Sequence, residues 1–182
     1  MGIDPGTNLL GYGVIKIEQG KSDPECLSIG IIRLQKFEDH SQKLKAIFDR
    51  VSALIDGFNV NEMSIEAPFF GKNVQSMLKL GRAQGVAIAA ALNKEIPVFE
   101  YEPLKIKQSV TGRGNATKHQ VAEMLKHILK LKEDPETLDA TDGLAAALCH
   151  YYQFNPQKFG VKKSKSAGWA QFIKDNPEKL KG

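Results

Sequence analysis

The sequence predicts an α/β domain in which a mixed β-sheet is flanked by helices. Two observations lead to this fold class. Short segments rich in Ile and Val alternate with segments whose apolar residues recur every three or four positions, and three strand-like segments come first. With 182 residues, 42% of them hydrophobic, the chain can bury the core of one ordinary domain. We therefore expect one domain over residues 1–157, followed by a basic C-terminal tail over residues 158–182.

Three strands are predicted before the first helix. The opening "GID" is followed by "GYGVIKIE" and "CLSIGIIRL", both rich in β-branched residues. The segment between the second and third strands, "QGKSDPE", contains the Gly, Ser, Asp and Pro typical of a turn. We therefore expect the second and third strands to form a hairpin.

Helices and strands alternate after this hairpin. The apolar spacing over residues 41–58 predicts an amphipathic helix, with Gly57 placed where the helix should stop. The segment "VNEMSIEAPFF" predicts a short strand leading into a loop, residues 73–93 a long helix, and "PVFEY" another strand. Thr117 has the residue type of an N-cap for a helix within residues 116–130. A last helix is expected at about residues 137–151.

Positive charge is concentrated in three parts of the chain. Residues 158–182 carry seven lysines and two acids, which leaves 18 basic and 19 acidic residues in 1–157. Residues 67–94 contain four cations and no acid, and residues 103–132 contain seven cations against Glu123 alone. Clustered cations are expected of a protein that binds a polyanion, but solvated helix faces carry similar runs. Charge therefore leaves both interpretations open.

The cysteine content and the hydropathy exclude several classes of protein. Cys26 and Cys149 lie far apart in apolar settings, so they predict neither a disulfide framework nor a metal site. The sequence shows no signal peptide and no run of eighteen apolar residues. We therefore expect a cytoplasmic protein with no membrane partner.

Four acidic residues fall at predicted strand ends or on the last helix. Asp4 ends the first strand and Glu66 the fourth, while Asp139 and Asp142 are spaced to share one helix face. Partly buried carboxylates raise one another's pKa, and a divalent cation would offset that cost. Their oxygen ligands favour Mg²⁺ or Mn²⁺ over Zn²⁺, and two such ions about 4 Å apart would clamp a phosphodiester. Each acid alone could instead be a turn former or a helix N-terminal charge.

Three segments follow one another in the sequence: "GIDPGTNLLGYGVI", the segment from "IEAPFF" to "ATKHQV", and "LDATDGLAAALCH", which together span roughly residues 2–151. In this order they resemble the RuvC family of bacterial Holliday-junction resolvases. The resemblance implies a ribonuclease-H-like fold and a homodimer. It also implies a Mg²⁺-dependent crossover junction endodeoxyribonuclease that resolves four-way DNA junctions by paired symmetric nicks in homologous recombination and DNA repair. We expect two Mg²⁺ ions per subunit, with Mn²⁺ as a substitute, and the RuvA–RuvB branch-migration complex as a partner.

The resemblance also assigns roles to individual residues. The four metal-binding acids of the family match Asp4, Glu66, Asp139 and Asp142, which are therefore the predicted catalytic residues. Two lysines match positions that contact DNA phosphates near the cut, where a fixed cation also stabilises transition-state charge. These are Lys107 and Lys118.

A wider DNA-binding surface is predicted around these positions. Phe69 matches an aromatic residue that inserts at the opened bases of the junction. Two alternatives remain open: Phe69 could be a core residue, or the inserting residue could be Phe70. The basic clusters add Lys72, Lys105 and Arg113 to the DNA-binding set. Gly112 and Gly114 could let backbone amides approach a phosphate, and simple turn glycines are an equal alternative. The spacing from these glycines to Lys118 does not fit a Walker loop.

Both termini depart from the family pattern. Only Met1 precedes "GIDPG", where the family usually has several apolar residues, so we expect a short first strand. The tail carries Trp169 and Phe172 among its lysines, which could form a small docking or DNA-binding helix. A weakly ordered basic tail is the simpler expectation.

Two alternatives for the function remain open at this stage. The motif "DPGT" also suits the phosphate loop of ATP-handling enzymes of the actin and sugar-kinase type, but those enzymes need a second lobe that 182 residues hardly permit. A junction-binding module that does not cut is the other alternative. The four acids argue against it, because a pure binder gains nothing from negative charge beside a phosphate backbone.

Overall fold

The computed structural model describes residues 1–18, 23–68, 73–131, 135 and 137–155. Five strands and five helices follow one another within these residues, in an order that confirms the predicted α/β class. They are β1 (Gly2–Asp4), β2 (Leu9–Lys16), β3 (Glu25–Arg33), α1 (His40–Phe58), β4 (Met63–Glu66), α2 (Val74–Leu92), β5 (Val98–Tyr101), α3 (Pro103–Thr111), α4 (Lys118–Leu129) and α5 (Leu138–Phe154). The predicted tail, 158–182, lies outside the described residues.

The strands form one mixed sheet in the order β3-β2-β1-β4-β5. β2 is antiparallel to both β1 and β3, as the predicted hairpin requires, whereas β4 is parallel to β1 and β5. The short β1, with three residues, is therefore the central strand and has a hydrogen-bonded neighbour on each side. Because β1 and β4 run in the same direction, their carboxyl ends lie at the same edge of the sheet.

Each face of the sheet is covered by a different group of helices. α1 and α2 pack against each other over one core, which contains Ile3, Leu10 and Ile65. α3, α4 and α5 form the other layer, with a second core that includes Leu125 and Leu148. Since successive residues of a strand point to opposite faces, Asp4 and Glu66, next to Ile3 and Ile65, point to the α5 face.

α5 lies directly on the backbone of β1 and β2 because glycines remove the side chains between them. A Cβ added at Gly143 would lie 2.6 Å from backbone atoms of Gly11 and Tyr12. A Cβ at Gly11 would collide with the carbonyl oxygen of Asp139, and one at Gly2 with the backbone of Ala147. This close packing fixes the first turns of α5, which carry Asp139 and Asp142, against the centre of the sheet.

The helix ends confirm some of the predicted signals and correct others. The Thr117 side chain accepts a hydrogen bond from the Gln120 N–H, and the Gln120 side chain accepts one from Thr117, so the predicted N-cap is confirmed. The predicted end of α1 at residue 58 agrees with the structure, but the residue that caps the helix is not Gly57. α1 continues to Phe58, and Asn59, with φ of 49°, is the left-handed cap whose N–H donates to the Ile55 carbonyl.

Helix α3 is absent from the prediction, although its boundaries carry ordinary helix signals. Pro103 begins the helix and Gly112, with φ of 75°, ends it. The N–H of Gly112 donates to the Gln108 carbonyl, so this glycine acts as a helix cap, in agreement with the turn-glycine alternative. The helix is only nine residues long, and its apolar contacts, through Ile106 and Val110, are too few to stand out in the sequence.

The structure also describes the two cysteines and the apolar character of the helices. Both cysteines are free thiols, Cys149 buried and Cys26 partly so, as their spacing predicted. Among the described residues, no helix has the length and apolar character needed to cross a membrane.

Candidate active site

Asp4 and Glu66 lie side by side at one edge of the sheet. Ile3 pairs with Ile65 in the parallel ladder between β1 and β4, and each acid is the next residue along its strand. Both side chains are partly buried and point to the face that α5 covers. The fold thus brings together two acids that are 62 residues apart in the sequence.

The beginning of α5 supplies the other two acids. The Thr137 side chain caps the helix by accepting from the Ala140 N–H, and Asp139 lies in the first turn. The Nζ atom of Lys118, the first residue of α4, lies 3.2 Å from Oδ1 of Asp139 and 2.5 Å from Oδ2 of Asp142. One ammonium group therefore links both aspartates, which confirms that they share a helix face.

The pKa values show that the acids on the strands and on α5 form one electrostatic cluster. Burial, together with the charges of Glu66 and Asp142, raises the pKa of Asp4 to about 8. Burial, with the charge of Asp142, also raises the pKa of Glu66 to about 7. The pKa of Asp142 is raised by burial although Lys118 opposes the shift. Carboxylates influence one another this strongly only at short range in a poorly solvated place.

Two lysines partly balance this negative charge. Burial would lower the pKa of Lys118, but its hydrogen bonds and ion pairs with Asp142 and Asp139 raise it above its ordinary value. The charge of Lys107, on α3, lowers the pKa of Glu66 and Asp142, which places this lysine near the cluster. Four carboxyl groups face two ammonium groups, and a divalent cation that replaced the protons of Asp4 and Glu66 would balance the remaining negative charge.

The chemistry of this donor set suits a hard divalent cation. All four side chains offer carboxylate oxygens, the ligands that Mg²⁺ and Mn²⁺ prefer. In the part of the chain that the structure describes, no three acidic, histidine or cysteine side chains form a ready-made ligand group. At this site the Lys118 ammonium bonds to two of the four carboxylates, the role that a cation would otherwise fill.

The other predicted DNA-binding residues are distributed unevenly around the cluster. Lys105, on α3, places its Nζ 5.3 Å from the ring centroid of Tyr101. Arg113 is exposed in the turn between α3 and α4, where its N–H donates to the Thr111 hydroxyl. Phe69 and Lys72 lie outside the described residues.

Comparison with known proteins identifies the family of the chain. The family model described as "Crossover junction endodeoxyribonuclease RuvC" matches residues 1–150. The chain belongs to the RuvC family. A protein of that name from Cytophaga hutchinsonii is 59% identical over the whole of this chain and 87% of its own length. The corresponding protein from Porphyromonas gingivalis is 53% identical, over the whole of this chain and 96% of its own length.

A solved structure agrees with this assignment. The fold is similar to that of T. thermophilus RuvC in complex with Holliday junction substrate, with a TM-score of 0.78 and 31% identity. The match covers 86% of this chain and 94% of the T. thermophilus chain. The fold is thus ribonuclease-H-like, as the motifs implied. Membership of the RuvC family also removes the support for the ATP-binding alternative.

One residue that supports this RuvC-type site was missed in the sequence. The Nζ atom of Lys43, on α1, donates to the Thr7 carbonyl at 3.2 Å and to Oδ1 of Asn8 at 3.1 Å. These bonds hold the loop that follows Asp4. Lys43 is 36 residues from Thr7 in the sequence, and no local pattern distinguishes this half-buried lysine from the exposed Lys45 of the same amphipathic helix.

The raised pKa values predict how the stability of the cation-free protein changes with pH. Asp4 and Glu66 bind protons more tightly in the folded chain than at their ordinary pKa values of 3.8 and 4.5. Their favourable contribution is therefore fully present below pH 4 and is lost as the pH rises through 7 to 8. In EDTA, we expect Asp4→Asn to have a melting temperature about 5 °C above that of the unmodified chain at pH 8.5.

Thermal melts between pH 5 and 8.5 would test this expectation. The control is Asp49→Asn, which changes an exposed acid on α1 that pairs with Lys45. The pH dependence of this control should follow that of the unmodified chain. If Asp4→Asn also followed it, the inferred burial of charge at Asp4 would be wrong.

Proposed function

We propose that this protein resolves four-way DNA junctions by paired symmetric nicks, in homologous recombination and DNA repair. The observation that carries the proposal is the convergence of four carboxylates and two lysines at one edge of a ribonuclease-H-like sheet. The relatives named above are crossover junction endodeoxyribonucleases, and the T. thermophilus relative was solved with a Holliday junction. A RuvA–RuvB-type branch-migration complex is the partner that family membership suggests.

Nucleases of the RuvC family depend on metal ions, and we propose Mg²⁺, two ions per subunit, with Mn²⁺ as a substitute. Asp4, Glu66, Asp139 and Asp142 would hold these ions. Bound divalent cations supply positive charge to the attacking and leaving oxygens of a phosphodiester. Support comes from the all-oxygen donor set and from the excess of carboxyl groups over ammonium groups at the site.

The lysines of the site serve the reaction through their fixed charge. Lys118 stays protonated at neutral pH because its pKa is raised by the aspartates it touches. Its ammonium can therefore donate hydrogen bonds to a phosphate oxygen beside the acids, and Lys107 adds a second positive charge on the same side. Lys105 and Arg113, farther along α3 and its turn, would bind phosphates away from the cut, and Phe69 and Lys72 stay predictions.

Two opposed cuts require two active sites, and α2 offers a surface for a second copy of the chain. Its outward face carries a row of apolar or small residues at helical spacing, opposite the buried alanines of the same helix: Val74, Leu78, Gly81, Gly85 and Leu92. Val74, Leu78 and Leu92 are more than half exposed. A Cβ added at either glycine would meet no atom within 4 Å, so another helix can approach closely. We propose that two α2 helices meet along this row in a symmetric dimer.

The proposed dimer predicts a monomeric variant. Leu78→Glu places a charge in the centre of the row and should convert a dimer into a monomer of 20.1 kDa. Light scattering after size-exclusion chromatography would measure the mass. Gln75→Glu, which adds the same charge to an exposed position beside the row, is the control and should stay dimeric. If the Leu78→Glu protein were still a dimer, the dimer interface would not be on α2.

The function itself is tested by cleavage of labelled DNA. Purified protein is mixed with a synthetic four-way junction or with a linear duplex of matched sequence, in Mg²⁺ or in EDTA, and the products are resolved on a denaturing gel. Metal-dependent nicks at symmetric positions of the junction alone are the expected result. Equal cutting of the duplex would indicate a less selective nuclease. Junction binding without cutting would indicate the binding module considered above.

A further inference from the structure

We propose that a small polar cleft beside the acids binds a second phosphodiester of the DNA strand, away from the phosphate that is cut. This cleft, of about 260 Å³, lies between the loop after β1 and the first turns of α1 and α2. The side chains and loop atoms that form its cationic and hydrogen-bonding wall are Thr7, Asn8, His40, Lys43, Ser76 and Lys79. The inference rests on the proposed function, since its ligand is the DNA that the acids would cut.

The charge of the cleft favours an anion. Lys43 bonds to the neutral oxygens of Thr7 and Asn8, so these contacts position its ammonium without neutralising it. Glu38 also lines the cleft, but within the described residues it forms no ion pair with Lys43 or Lys79. Two ammonium groups therefore share the cleft with one carboxylate, and a phosphodiester would bring the missing negative charge.

The wall of the cleft also includes two polar side chains that can donate hydrogen bonds, those of His40 and Ser76. The Nε2 atom of His40 is buried and has no hydrogen-bond partner among the described residues. The imidazole would have to turn toward the cleft to reach a ligand there, and in the tautomer that carries its proton on Nε2 it could then donate a hydrogen bond. Ser76 adds a hydroxyl in the first turn of α2, where its N–H already donates to Oδ1 of Asn73. Phosphate oxygens, which accept several hydrogen bonds at once, match these donors.

The position of the cleft relative to the acids suits a strand that is already bound at the cut. Thr7 follows Asp4 by three residues, so their Cα atoms are at most about 11 Å apart. The cleft lies on the α1–α2 side of the sheet edge, whereas Lys118 and the α5 acids lie on the other side. A strand crossing the edge would be held on both sides of Asp4, which fixes its direction across the acids.

Junction binding in EDTA tests the cleft without cleavage. Lys79→Ala is the main variant, because Lys43 also holds the loop after β1. Lys43→Ala and His40→Ala are the supporting variants. Fluorescence anisotropy should show Lys79→Ala binding the junction about ten-fold more weakly, with a salt dependence reduced by about one phosphate contact. The control is Lys45→Ala, an exposed lysine of α1 that pairs with Asp49 at 2.6 Å, which should bind as the unmodified chain does.

Replacing single phosphates by neutral methylphosphonates locates the contact. At one position within a few nucleotides of the cut, the replacement should weaken binding by the unmodified chain and by Lys45→Ala, but have little further effect on Lys79→Ala. Two results would overturn the cleft as a phosphate site. The first is that, at every position, the loss of affinity from the methylphosphonate adds in full to the loss from Lys79→Ala. The second is that Lys79→Ala and Lys45→Ala bind the junction with the same affinity. The proposed function fails separately, if the unmodified chain neither binds nor cuts the junction.

Discussion

Asp4→Asn is expected to abolish cleavage of a four-way junction and to leave junction binding intact. The substitution keeps the size of the side chain but removes one of the carboxylates proposed to hold the metal ions, at the centre of the cluster. We expect single-turnover cutting in Mg²⁺ to fall by about 10³-fold or more, since charge stabilisation at a reacting phosphate supplies several kcal/mol. Affinity for the junction, measured in EDTA at pH 8.5, where Asp4 is largely ionised, should stay equal or increase slightly, because one negative charge near the phosphates is lost.

Asp49→Asn is the matched control for this substitution. It makes the same chemical change at an exposed position of α1, away from the sheet edge, and should cut at the normal rate. Glu66→Gln and Asp142→Asn should behave as Asp4→Asn does. If the Asp4→Asn protein still cut at a tenth of the normal rate, Asp4 would not be one of the essential acids.

Gly143→Ala is expected to destabilise the domain by about 3 kcal/mol. The added methyl group would be in contact with backbone atoms, which cannot move aside as a flexible side chain could. The added methyl group would meet the backbone of Gly11 and Tyr12, and α5 would have to retreat from the sheet. Since α5 carries Asp139 and Asp142, cutting should fall as well, even at temperatures where the variant is folded. Urea unfolding followed by circular dichroism measures the loss of stability.

Gly57→Ala is the control for the glycine prediction. Gly57 lies inside α1, and a Cβ at this position meets no atom within 4 Å. Alanine is the better helix former, so this variant should be as stable as the unmodified chain or up to about 1 kcal/mol more stable. If Gly143→Ala were equally well tolerated, the close approach of α5 to the sheet would not matter for the fold.

The acids of the site could be predicted because their positions follow from local patterns. A strand ends where Pro5 and Gly6 follow it, so the place of Asp4 can be determined without a structure. The helical spacing of Asp139 and Asp142 likewise fixes their common face. The parallel alignment of β1 and β4, which joins the two pairs, depends on the fold class and on resemblance to a family.

Other features of the site depend on contacts that leave no local signal. Lys118 is one basic residue among many in its segment, so it was predicted through the family resemblance and not from a local pattern. The packing of α4 on α5 brings it to Asp142, 24 residues away. The sequence does not distinguish the glycines of β2 from other strand residues. Their lack of side chains nevertheless determines how closely α5 approaches the sheet. Lys43 and the polar cleft it lines combine three segments that are distant in the sequence.

Because β1 lies in the middle of the sheet, the position of Asp4 depends on the cooperative folding of the whole domain. Loops and edge strands can open locally at little cost in free energy, but a central strand is released only when much of the domain unfolds. Asp4 sits on a strand of three residues that is paired on both sides, and its neighbour Ile3 is fully buried. Fluctuations that displace this carboxylate should therefore be nearly as rare as global unfolding, and the arrangement of acids that we propose for catalysis would persist as long as the native state does.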